Sequence, residues 1–147
     1  MNEKSEQVQL LNRIANQPEV LPHVAPGFWR VDMADFFERP GNLMLGNDRG
    51  VVLFAPMGEG LYCAHFLFTS SMRGQDALKA IKMAFSSLFT YRDCVAITGL
   101  IPRENRASRA MARALGCRPI GYANDDLGRP CISYMMERTR WVTLSGA

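Results

Sequence analysis

The sequence predicts a mixed α/β fold, a single central sheet that is mostly antiparallel and flanked by helices. Three observations predict it. Three strand-like segments on short turns run from Asn42 to Thr69, the pattern of an antiparallel meander. The strand–helix–strand unit from Leu61 to Ile101 calls for a right-handed crossover between parallel strands. The chain then returns through a helix to a closing hairpin over residues 118–137.

Each element has a local cause. Val8, Leu11, Ile14 and Ala15 recur at helical spacing over Ser5–Asn16, with Ser5 as the expected N-cap. Pro18, Pro22 and Pro26 stop that helix from continuing to Gly27. Phe28–Val31 is expected as a short strand and Asp32–Phe37 as a short helix closed by Pro40-Gly41. Asn42–Gly46 and Val51–Ala55 read as strands around Asn47-Asp48-Arg49-Gly50, a turn rich in residues that tolerate left-handed conformations. Leu61–Thr69 is a third strand with high β-propensity. Ala77, Leu78, Ile81, Phe85, Leu88 and Phe89 share a sector about 120° wide on a helical wheel, so Gln75–Phe89 is an amphipathic helix. Asp93–Ile101 reads as a buried strand. Glu104–Leu115 reads as a helix with Ala107, Ala110, Met111, Ala114 and Leu115 inward, and Gly116 as its left-handed stop. Arg118–Ala123 and Cys131–Glu137 form the hairpin around Asp125-Asp126 and Gly128.

Composition narrows the class. With 147 residues, 48% hydrophobic and 21% charged, the chain has the make-up of one ordinary domain over 1–147 and not of a disordered one. Its expected parts are an N-terminal segment 1–41, a core 42–137 and a tail 138–147. The longest nearly unbroken apolar run, Val51–Met57, is far short of the roughly 18 residues a membrane helix needs. Met1–Gln9 is polar, without the apolar core of a signal peptide. Cys63, Cys94, Cys117 and Cys131 form no CxxC pair, and His23 and His65 stand far apart, so no metal site is expected. Free thiols in apolar surroundings and the absent leader give a cytoplasmic expectation. Residues 1–91 carry 8 basic and 9 acidic side chains, and residues 92–147 carry 9 and 5. The net charge of +3 therefore comes from the second stretch, where Arg106, Arg109 and Arg113 fall within about 60° on one helix. Such a stripe suits a modest anion or an acidic partner, or is a solvated face; nucleic acid and membrane are not expected partners.

Three joints carry a resemblance to a known family. They are Ser71-Met72-Arg73-Gly74-Gln75-Asp76-Ala77 between strand and helix, Asn105 followed by Ala107, Ala110, Met111 and Leu115-Gly116, and the closing hairpin. In this order they resemble the GNAT superfamily of acyl-CoA-dependent N-acetyltransferases, over about Asn42–Glu137. Tyr62-x-x-His65-x-x-Phe68 before Arg73-Gly74, with Pro102-x-x-Asn105, looks most like small GNAT-like proteins of tailed phages and prophages. The host cytoplasm would be the location of a phage-encoded chain.

The resemblance implies an acetyl-CoA-dependent N-acetyltransferase that acetylates a primary amine by direct attack in a ternary complex, with acetyl-CoA as co-substrate and no metal. By position, Phe66, Leu67 and Phe68 would line the pantetheine arm. Arg73, Gly74, Gln75, Asp76, Ala77 and Leu78 would hold the pyrophosphate at a helix start, and Asn105 would orient the arm. The family's loop has Gly or Ala where this chain has Asp76. A carboxylate there repels phosphate or else caps its own helix, so acyl-CoA binding and a self-satisfied cap both stay open. The family's frequent tyrosine acid, seven residues after the asparagine, is Ala112 here. No carboxylate lies on Leu61–Thr69, so His65 is the candidate base, and Tyr122 and Tyr134 are substitute acids. Phe28, Trp29, Phe36 and Phe37 would form an acceptor wall or seal the core. The alternative is a catalytically inactive GNAT-fold protein of phage type with an assembly, structural or regulatory role. A homodimer through the final strands fits the family, and the acceptor or protein partner is not legible.

Overall fold

The computed structural model describes residues 2–145. The elements in chain order are α1 (Glu3–Ala15), a single turn α2 (Leu21–Val24), a 3-10 turn (Ala34–Glu38), β1 (Leu43–Asn47), β2 (Gly50–Gly58) and β3 (Leu61–Phe68). They continue with α3 (Gly74–Tyr91), β4 (Ala96–Pro102), α4 (Arg106–Leu115), β5 (Arg118–Asn124), β6 (Pro130–Glu137) and α5 (Arg138–Ser145). The strands form one mixed, mostly antiparallel six-stranded sheet in the order β1-β2-β3-β4-β6-β5. The chain divides into two compact units, Met1–Ala55 with His65–Ala84, and Pro56–Ala64 with Phe85–Ala147. It passes from one to the other within β2, within β3 and within α3.

In the first unit, α1 turns Leu11, Ile14 and Ala15 onto Val20, Met44, Val51, Leu53 and Leu67. β1 and β2 pair antiparallel from Leu43↔Phe54 to Asn47↔Gly50. The helix begins earlier than the apolar pattern suggests. Asn2, not Ser5, is the N-cap, and its Oδ1 accepts from the Ser5 amide at 2.8 Å. Phe28–Val31 forms no strand, because α1 side chains take up the backbone groups a neighbouring strand would use. Val31 N–H donates to Asn16 Oδ1 at 2.8 Å, and Asn16 Nδ2 donates to the Val31 carbonyl at 2.8 Å. One helical turn earlier, Asn12 Oδ1 accepts from Met33 N–H at 2.6 Å. Asp32–Phe37, expected as a helix, closes instead as the 3-10 turn over Ala34–Glu38. Of the aromatic cluster, Phe36 and Phe37 pack edge to face, 5.2 Å apart, against the core, whereas Phe28 and Trp29 are exposed.

In the second unit, β3 pairs parallel with β4 at Leu61↔Ala96, Tyr62↔Ile97 and Cys63↔Thr98, the orientation that the crossover through α3 requires. β4 then pairs antiparallel with β6 from Ala96↔Glu137 to Pro102↔Cys131. β5 pairs with β6 and ends the sheet; its register shifts between Pro119 and Gly121, and all its residues are exposed. The buried side chains of α4 are Ala112 and Leu115, while Ala107, Ala110 and Ala114 face solvent. Alanine has too little apolar area to decide a helix face, so the inward side is set by Leu115 with Met111 and Ala112. Gly116 ends α4 as expected, at φ +89°. The tail forms α5, which the sequence pattern does not show. Its Trp141 is buried against Phe85 and Phe89, with ring centroids 5.7 and 6.1 Å away. Arg140 Nε donates to the Gly116 carbonyl at 2.8 Å.

Asn16 thus holds both backbone groups of Val31, and its loss leaves two half-buried polar groups unmatched. Asn16→Ala should destabilise the protein by about 1–3 kcal/mol. Asn16→Asp, which keeps the acceptor but sets a carboxylate against the Asn12 and Val31 carbonyls, should destabilise it as well. Thermal melts of the three proteins check this, and equal midpoints would refute it.

Candidate functional site

The residues singled out in the sequence fall in both units. In the first unit they follow the end of β3 without a break. Leu67 is buried in the core, and the half-buried rings of Phe66 and Phe68 stack at 6.1 Å with 9° between their planes. His65 exposes much of its surface, yet the protein crowding its ring removes enough water to push its pKa below the ordinary 6.5. The imidazole is therefore neutral at pH 7.

The loop from Thr69 to Arg73 is pinned at several points. Thr69 N–H and Oγ1 donate to the Arg49 carbonyl at 2.9 and 2.7 Å. Met72 N–H donates to the Thr69 carbonyl at 3.0 Å while its side chain is buried. Arg73 Nε donates to the Ser70 carbonyl at 2.8 Å. Gly74 then opens α3 at φ +58°, and a Cβ placed there meets nothing within 4 Å. Backbone can approach closely at such a position, and the first amides of the helix have no partner within it. Arg73, Gly74, Gln75 and Asp76 are exposed, Ala77 is buried and Leu78 half-buried. Asp76 is paired: its Oδ2 accepts from Arg49 Nη2 at 3.3 Å. Arg49 was missed in the sequence because its turn looks like a mere connector of two strands.

In the second unit, Asn105 is the N-cap of α4, and its Oδ1 accepts from Ser108 N–H at 3.1 Å. Ala112 is buried on the same helix. Tyr134 is buried on β6, whereas Tyr122 on β5 is 79% exposed. The Arg103 guanidinium lies 5.6 Å from the Tyr122 ring centroid, a cation–π contact. A cavity of about 530 Å³ is lined by Arg103, Glu104, Arg106, Arg109, Tyr122 and Ile132. Arg106 and Arg113 are exposed, but Arg109 is half-buried and its Nε is buried with no hydrogen-bond partner. The arginine stripe is thus not one uniform solvated face.

All four cysteines are free thiols. Burial pushes those of Cys94 and Cys117 up to about 11, and raises those of Cys63 and Cys131 as well. Among the described residues, no group of three or more His, Cys, Asp or Glu could hold a metal ion. None of their helices is long and apolar enough to cross a membrane.

No protein-family model matches the chain, and no curated protein sequence does. Solved structures do match. The aminoglycoside acetyltransferase AAC(6')-Ib, in complex with coenzyme A and kanamycin, superposes with a TM-score of 0.76 over 97% of this chain and 95% of its own, at 13% identity. A point variant of the spermidine N-acetyltransferase of Vibrio cholerae gives 0.74 over 98% and 96%, at 11% identity. The fold is that of the GNAT acetyltransferases. An acetyltransferase of the GNAT family from Bacillus anthracis matches over a shorter stretch, 61% of this chain, with a TM-score of 0.56 at 18% identity. This chain spans 58% of that protein and 55% of the ribosomal-protein-S5-alanine acetyltransferase of Vibrio fischeri. Within this GNAT fold, Gly74 at the start of α3 and Asn105 at the start of α4 stand at two of the three joints that carry the resemblance.

Two expectations follow from these contacts. Asn105→Ala should cost about 1 kcal/mol through loss of the α4 cap, whereas Asn105→Asp keeps the cap and should not; urea titrations of both variants check this. The half-buried thiol of Cys117 should react with iodoacetamide at pH 7.5 at least about a hundredfold more slowly in the folded than in the urea-unfolded protein. Its rate should climb with pH towards 11. A thiol raised by folding favours the folded state below its unfolded pKa, so stability should fall as pH rises from about 9 to 11. Equal labelling rates in the two states would refute the first part.

Proposed function

We propose that the chain is an acetyl-CoA-dependent N-acetyltransferase that acetylates a primary amine by direct attack in a ternary complex. One observation carries the reading: α3 begins after the short pinned loop that follows β3, with an exposed, left-handed Gly74 and open space beside it. Amides at such a helix start take phosphate oxygens, so the residues present fit the pyrophosphate of CoA. The likeness in fold to a CoA-bound acetyltransferase over nearly the whole chain supports the same co-substrate.

In this reading Gly74–Leu78 hold the pyrophosphate, Arg73 adds a charge-assisted contact and Phe66–Phe68 line the pantetheine arm. A primary amine is mostly protonated at neutral pH and must lose a proton to become a nucleophile. His65, neutral because its surroundings lower its pKa, accepts that proton. The free amine attacks the thioester carbonyl, its nitrogen gives up a second proton as the C–S bond breaks, and the CoA thiolate leaves and takes up a proton. The acceptor class begins with what the structural neighbours are named for, polyamines and aminoglycosides.

Ala112 favours a second reading. It is buried at 3% exposure and offers no hydroxyl where many family members have their acid. A GNAT-fold protein without catalysis, acting as a phage-type assembly or regulatory partner, needs none.

Calorimetric titration with acetyl-CoA separates the two. Heat of binding and a thermal upshift support the enzyme; no response at millimolar ligand excludes it. Arg73→Glu should abolish binding, and an unchanged affinity would move the phosphate site elsewhere. His65→Ala should keep binding and lose turnover on a panel that includes spermidine and kanamycin. The acid limb of the wild-type rate profile should lie below pH 6.5, where His65 becomes protonated. Wild-type turnover in His65→Ala would remove that side chain from the mechanism.

A further inference from the structure

Asp76 is the one acidic side chain in the first turn of α3. A carboxylate there disfavours the anion that the helix start would otherwise take, because it places negative charge at the same positive end. The contacts around it supply a remedy. Arg49 arrives from the β1–β2 turn, where its own N–H is fixed by Asn47 Oδ1 at 2.9 Å. Its Nη2 donates to the Ser71 carbonyl and, at 3.3 Å, to Asp76 Oδ2, while its Nε lies 3.4 Å from Ser71 Oγ. The Arg49 carbonyl accepts both donors of Thr69. One residue thus grips the loop before α3 with its backbone and the first turn of α3 with its side chain.

The pair is open to solvent, at 43% and 65% side-chain exposure. An exposed ion pair contributes little to stability, so the consequence of this one lies in where its charge sits. With Arg49, the joint holds two arginines, Arg49 and Arg73, against one aspartate. Without it, the balance is one against one.

We infer that Arg49 is a positioning residue for the acyl-CoA pyrophosphate: it cancels the Asp76 carboxylate and so lets the anion reach the start of α3. The inference rests on the acyl-CoA reading of this joint. It explains how a chain that departs from the family's loop at Asp76 keeps a usable phosphate site. It assigns a functional role to the β1–β2 turn, which otherwise only connects two strands. The guanidinium acts through Asp76 and through the loop, by charge and by position.

The test is calorimetry with CoA on the full chain and on Arg49→Ala, Asp76→Asn and the double variant, with thermal melts as a control for folding. Arg49→Ala should bind CoA at least about tenfold more weakly, since a charge-assisted partner of the carboxylate is gone. Asp76→Asn should bind as tightly as the parent or more tightly. The double variant should recover the affinity of Asp76→Asn, because the charge that Arg49 offsets is no longer there. Recovery is the deciding result: a role confined to holding the Ser71 carbonyl is not rescued by changing Asp76. An Arg49→Ala protein that binds like the parent overturns the inference, as does a double variant as weak as Arg49→Ala. If Arg49→Ala does not fold, weaker binding by Asp76→Asn overturns it alone. Silence of the unaltered protein towards CoA removes the acyl-CoA reading itself, a different outcome from selective loss in Arg49→Ala.

Discussion

Two parallel neighbours in a sheet cannot be joined by a tight turn. The short ladder of Leu61–Cys63 against Ala96–Thr98 therefore commits the chain to a long detour between β3 and β4. Most of the chemistry proposed for the first unit lies at the end of β3 and on that detour: His65, the stacked Phe66 and Phe68, then the pinned loop to Arg73, and Gly74 opening α3. The helix exists to make the connection, and its exposed first turn is a by-product of that geometry. A crossover helix starts just past the carboxyl end of a strand, with its positive end unsatisfied. The anion site proposed at this joint builds on that end, on a glycine that clears the approach and on the arginine that offsets Asp76.

The long, strongly periodic elements were legible in the sequence because large apolar residues mark their faces. Ile81, Phe85 and Leu88 on α3 leave no ambiguity, and all three are buried. α4 was read largely through alanines; Leu115 and Met111 turn inward as read, but Ala107, Ala110 and Ala114 face water. Phe28–Val31 has the composition of a strand, but a polar interaction decides its state. Asn12 and Asn16, one helical turn apart, take the backbone groups that a ladder would have taken. α5 has no regular apolar stripe and is held chiefly by one residue, Trp141, against Phe85 and Phe89. Periodicity cannot register an element fixed by a single large side chain.

The candidate site was legible in part for a related reason. Gly74 and Arg73 stand beside a strand–helix joint, so local order reveals them. Arg49 lies in another turn and meets Asp76 only through the fold. The apparent defect at Asp76 and its partner are thus separated in the sequence and adjacent in space. Asn105 could be placed at a helix start, and the cap bond that its oxygen accepts from the Ser108 amide shows only in the fold. The charge pattern was informative about location, since the excess follows the α4 arginines, yet it did not distinguish half-buried Arg109 from its exposed neighbours.

The last strand of the sheet, β5, has consequences for how copies of this protein meet. Pro119 has no N–H to offer, and the register shift between Pro119 and Gly121 breaks the even row of backbone groups. Arg118, beside it, is engaged with Glu137 on β6. An edge built in this way is a poor template for another strand. The β5 edge is thereby a poor place for the sheet to gain a further strand. Self-association at this end would have to proceed through side chains, Ile120 and Tyr122 among them, with the main-chain edge left out.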